Sequence, residues 1–137
     1  MSNFAYFNDY VFEATISDPG GDDKQIHLFK APQSMTLVDA YVTCSTAMGT
    51  SKGAQLTLQN WGTGGIAVQT GGTITDTIGG SAAADAIAAA TPAAFTIAAA
   101  SKKLASGEWL VLDHQEQGDF QGGVMRVHVH ARPGVSG

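Results

Sequence analysis

The sequence predicts an all-β fold: a jelly-roll-like antiparallel β-sandwich of about eight strands, with a short Ala-rich helix or loop. Three observations lead there. Short runs rich in Val, Ile, Thr and aromatic residues recur at regular spacing. Gly, Pro, Asn, Asp or Ser bounds each run. Several runs alternate apolar and polar residues with a period of two, as a strand with one face in a core does. A parallel α/β sheet would need helical patterns between its strands, and only one segment offers such a pattern.

Residues 1–12, "MSNFAYFNDYVF", hold five of the chain's eleven aromatics. This stretch reads either as a first strand or as an extended arm. As an arm, Phe4, Tyr6, Phe7 and Tyr10 would supply contact area to a neighbouring chain. Residues 13–137 then form the single sandwich domain. The cluster "SDPGGDDKQ" at 17–25 is a turn by composition. Its Asp18, Asp22 and Asp23 lack the spacing and closing Glu of a calcium loop.

Strand-like runs follow. In "QIHLFKAP", Ile26 and Leu28 alternate with His27 and Phe29. "MTLVDAYVTCST" is a longer β-branched run that includes Cys44, the chain's one cysteine and so no source of an internal disulfide. Cys44 is expected to be a small buried hydrophobe. "AQLTLQNWG" sets Leu56 and Leu58 against Thr57 and Gln59. "NWGTGG" has the glycines of a turn but neither the Lys nor the following helix of a phosphate loop. The Ala-rich stretch 81–94 favours a short helix or ordered loop over 81–90, ended by Thr91-Pro92. "IAVQTGGTIT", "AAFTIAAAS", "GEWLVLDHQ" and "GVMRVHVHA" complete the set of strand-like runs.

The last run raises the sharpest chemical question, because His128 and His130 stand two apart and share a face. Zinc needs three or four converging ligands. His27, His114, Asp113 and Glu116 are the remaining candidates. Cupins begin their motif with the same H-x-H, but the Glu and the distant downstream His of that motif are absent here. The plainer reading puts Met125, Val127 and Val129 toward the core. Arg126, His128, His130 and Arg132 then form a polar face for a partner, sensitive to pH through the histidines. Asp113, Glu116 and Asp119 in "DHQEQGDF" read as a polar loop rather than a pair of sugar-cleaving acids. No dinucleotide motif opens a helix, and "GTSKG" (49–53), which spells G-x-S-x-G, runs into the strand-like "AQLTLQNWG" and so lacks the strand-to-helix turn of a nucleophile elbow. Accordingly, no catalytic residue, metal or cofactor is expected.

Composition narrows the class further. The net charge is −5, only 14% of residues are charged, and seven Lys and Arg are scattered. Nucleic-acid binding needs a basic stripe, which is missing. No apolar run is long enough to span a bilayer, and "MSNFAYF" lacks an export pattern, so synthesis in a cytoplasm is expected. Few charges suit a surface that is covered by partners.

With the runs in order, a family resemblance emerges. "FKAP" (29–32) is followed by "LTLQNWGTGG" (56–65), "AAATPAAFTIAAAS" (88–101), "LASGEWLVL" (104–112) and "GGVMRVHV" (122–129). This order resembles the small decoration, or cement, proteins of tailed-phage capsids. The resemblance implies a jelly roll without catalysis that forms oligomers, commonly trimers. It implies a place on the virion's outer capsid surface, bracing neighbouring major capsid proteins, with an N-terminal arm assisting. A tail, fibre or neck domain is the nearest alternative. A carbohydrate-binding module, with Trp61 or Trp109 as its platform, is the alternative from another class.

Overall fold

The computed structural model describes residues 9–16, 24–46, 53–78, 87, 90–117 and 124–134. Eight strands are named in chain order. They are β1 (Tyr10–Ile16), β2 (Lys24–Lys30), β3 (Met35–Cys44), β4 (Gly53–Asn60), β5 (Ala93–Ala94), β6 (Lys103–Leu104), β7 (Trp109–Gln117) and β8 (Met125–Pro133). The first sheet has the order β1-β8-β3-β5, with β6 also on β3, and the second is β2-β7-β4. All pairs are antiparallel. The chain crosses from one sheet to the other after β1, β2, β3, β4, β6 and β7. That alternation is the jelly-roll path, and the predicted sandwich is present.

Between β4 and β5 the backbone of residues 73–78 bonds to β4 on one side and to the segment just after β5 on the other. The Ile74 N–H donates to Leu58 O and the Ile78 N–H to Leu56 O, on β4. On the other side, the Asp76 N–H donates to Thr96 O, and the Ala98 N–H donates to Ile74 O. One flank of the sandwich is thus closed by backbone bonding. The opposite flank, where edge strands β1 and β2 meet, is packed instead: Phe12 stacks on Phe29 with ring centroids 3.6 Å apart.

Inward residues obey the period-two rule. Met125, Val127, Val129 and Ala131 of β8 are each 1% exposed or less, as the alternation predicts. They meet Leu56, Leu58, Leu110 and Leu112 of the second sheet. Fully burying one such side chain contributes about 1.5–3 kcal/mol.

Two β-bulges break the pattern. One lies between His27 and Phe29, so the register shifts at Leu28. Phe29 was expected to share a face with His27; the shift turns it inward, and it is buried. The other lies between Leu37 and Asp39 and leaves Val38 and Asp39 both exposed.

The division expected at residue 12 falls inside β1. Of the Ala-rich segment, the described part holds buried Ile87 and Ala90, whose φ is 54° and whose N–H donates to Cys44 O. The rest of the expected helix or loop, and the Asp cluster at 18–23, lie outside the described residues.

Candidate functional site: two outer faces and a loop cluster

Each sheet turns one face outward, and the two faces differ in chemistry. On the first, β8 is central between β1 and β3. Register sets Glu13, His128 and Tyr41 in one row, and Val11, His130 and Asp39 in the next. The His128 ring stacks on Tyr41 with centroids 4.5 Å apart, and its Nδ1 lies 3.0 Å from Glu13 Oε1. The His130 Nε2 lies 2.9 Å from Asp9 Oδ2, and its Nδ1 lies 3.8 Å from Asp39 Oδ2. Arg132 Nε lies 3.4 Å from the same Asp9 oxygen.

Asp9 therefore accepts from His130 and Arg132 together. These bonds hold its carboxyl below the ordinary value of 3.8, against an opposing push from desolvation. The predicted polar face of Arg126, His128, His130 and Arg132 is thus real as a face. The carboxylates that answer it come from β1, its flank and β3, within the same chain.

The four histidines lie in three places. His128 and His130 share the first outer face. His27 lies on the outer face of the second sheet, while His114 is buried with the parity of Leu110 and Leu112. Among the described residues, no three His, Cys, Asp or Glu side chains are grouped to hold a metal ion.

On the second sheet the outward positions are mostly amides, hydroxyls and aromatics, with Val111 and Asp113 among them. Asp113 is 8% exposed and sits between two amides. Gln25 Nε2 donates to its Oδ1 at 3.0 Å, and Gln115 Nε2 donates to its Oδ2 at 3.0 Å. Val111, flanked in register by His27 and Gln59, is fully buried although it points away from the core.

At one end of this face, residues 61–72 form a tightly bonded loop, where "IAVQTGGTIT" led to the expectation of a strand; that run makes only isolated bridges, at Thr73 and Thr75. The His27 Nε2–H donates to Gly65 O at 2.7 Å, and the His27 ring meets both Trp61 and Trp109 edge-on. The Trp61 N–H donates to Trp109 O, and the Trp109 N–H donates to Gly62 O. Gly65 has φ of 63°, and a Cβ built there would lie 2.6 Å from Trp109 Cδ1. Only glycine meets both demands. Trp61 Nε1 donates to Gln59 Oε1 at 3.0 Å. Both indoles are half-buried packing groups.

The adjoining loops close on the same point. Ala31 N–H donates to Glu108 O, and Gly107 N–H donates to Ala31 O, both at 2.8 Å. The segments "FKAP", "NWGTGG" and "LASGEWLVL" are far apart in sequence, yet they form one hydrogen-bonded cluster. No pairwise pattern in the residues signals this meeting; the glycines of "GTGG" mark only a turn.

Phe4, Tyr6 and Phe7 lie outside the described residues. Tyr10 opens β1, half-buried against the core, and its hydroxyl accepts from Gln33 Nε2 at 2.6 Å. Cys44 is 1% exposed, and burial pushes its thiol pKa up, which disfavours the reactive thiolate. It borders a depression of about 220 Å³ with Thr43, Ser45, Ala90, Val124 and Arg126.

Comparison with known protein families, curated proteins and solved structures finds no match to this chain.

Proposed function

We propose that this protein is a non-enzymatic capsid decoration protein of a tailed phage. In this reading it forms an oligomer, a trimer by the family's habit. It sits on the outer capsid surface and bridges neighbouring major capsid proteins. One observation carries the reading: three segments that bear the resemblance converge into one bonded cluster at one end of a jelly roll. Segments that resemble a family's pattern and also build one structural unit support the resemblance more than scattered matches would.

The physics suits the role. A protein that binds the assembled shell better than its free parts stabilises the shell by mass action. Many symmetry-related copies convert modest contacts into avidity. Rigid loops lower the ordering cost of each contact. The carbohydrate reading is less supported, because Trp61 and Trp109 both pack on His27 instead of standing free as a platform.

The test is co-sedimentation with purified expanded capsids, followed by heating. Decorated capsids are expected to rupture at higher temperature than bare ones. Failure to bind any expanded capsid would reject the reading, and glycan-array binding in its place would favour the carbohydrate module.

A further inference from the structure

Single exposed aliphatic residues are ordinary on protein surfaces. Ile66 differs in its setting. It is 86% exposed, and Val68 beside it is 44% exposed. Their loop is tied down on both sides. Gly62 N–H donates to Asn60 Oδ1 at 2.8 Å, and Gly65 N–H donates to Trp61 O. Past the tip, Gln69 N–H donates to Asn60 O, Gly72 N–H to Gln69 O, and Asn60 N–H to Gly72 O. The His27 bond to Gly65 O locks the loop to β2. The backbone is therefore bonded on each side of an apolar tip that touches water.

The chemistry of the tip narrows its partner. No charged residue occurs between Lys52 and Asp76, although 14% of the chain is charged. A nucleic acid would require cations here. An anionic lipid surface would call for basic residues beside aromatic ones, and both nearby indoles are turned into the His27 cluster. An uncharged, preorganised aliphatic knob fits an apolar pocket on a protein.

We propose that Ile66, with Val68 beside it, is the anchor that this protein inserts into an apolar pocket of the capsid shell. The inference rests on the decoration reading and names the contact that it uses. The partner surface is a neutral, concave protein patch. The loop enters it with little ordering cost, because its hydrogen bonds are already made.

The test compares wild type, Ile66→Asp, Ile66→Ser and a control, Val124→Asp, at the opposite end of the sandwich. Capsid co-sedimentation, melting temperature and sedimentation velocity are read for each. Both Ile66 variants are expected to keep the wild-type melting temperature and oligomeric state and to lose at least tenfold in capsid affinity. Val124→Asp is expected to bind as wild type. If both Ile66 variants bind normally, the anchor is wrong and the decoration reading stands. If they break up the oligomer, the knob is a contact between copies and the proposal is overturned. If wild type itself binds no capsid, the decoration reading fails and the anchor fails with it.

Discussion

The two outer faces of the sandwich obey the same alternation rule and use it differently. The first faces water, and its outward residues are answered by charge: His128 by Glu13, and His130 and Arg132 by Asp9. The second is partly covered. Val111 and Asp113 point outward yet are buried, and the aromatic cluster packs at one end of the face. A pair such as His128 with Glu13, whose carboxylate is about half exposed, contributes little to stability because water and salt screen it. On the second, Asp113 is shielded from water, so removing the amides that donate to it leaves a buried carboxylate unsatisfied. Outward direction in a strand is therefore no guide to energetic weight.

The largest expected contrast comes from the same substitution on each face. Val111→Asp places a charge in a fully buried position and should cost about 3–5 kcal/mol, or prevent folding. Val11→Asp, at a position 67% exposed, should change stability by no more than about 0.5 kcal/mol. Chemical denaturation of both variants measures the contrast. Equal effects would mean that the faces are not energetically distinct.

Next in size is the glycine lock. Gly65→Ala combines a positive φ with a clash on Trp109 and should cost roughly 2–4 kcal/mol. Gly71→Ala shares the positive φ but meets nothing within 4 Å. It should cost only about 1 kcal/mol. The difference between the two isolates the packing of Trp109 and should appear as a separation in melting temperature of about 4 °C per kcal/mol.

Changing Gln25 and Gln115 together to leucine should cost about 1–3 kcal/mol, because the buried Asp113 carboxylate loses both amide donors. Restoring stability by also changing Asp113 to leucine would confirm that the loss is one of hydrogen-bond satisfaction.

The smallest effect belongs to Asp9. Its folded-state pKa is lowered, so its stabilising contribution is present above the ordinary value of 3.8 and is lost as pH falls through the lowered one. Asp9→Asn should remove that acid-side loss and little else. Melting curves from pH 6 down to pH 2 check it, and an unchanged acid slope would contradict the assignment.

β8 was legible because no bulge interrupts it: each residue from Met125 to Ala131 takes the face that its parity assigns. β2 was legible up to Leu28, where a bulge resets the parity of Phe29. A bulge adds a residue without changing composition, so the apolar pattern alone does not reveal it. The histidine pair was legible as a polar face, but its carboxylates were not, since Glu13 and Asp39 arrive from other strands. The cluster of His27, Trp61, Gly65 and Trp109 draws on three separate stretches of the chain, with His27 and Gly65 38 positions apart. Such a meeting is a property of topology, and period-two patterns carry no information about it.

The most direct test of the central claim is electron cryomicroscopy of expanded capsids saturated with the protein. The account predicts ordered sandwich density on the outer surface, with the loop of residues 61–72 seated in an apolar depression of the shell. Bare capsids at saturating protein, or sandwiches bound by the opposite end with this loop facing solvent, would contradict it.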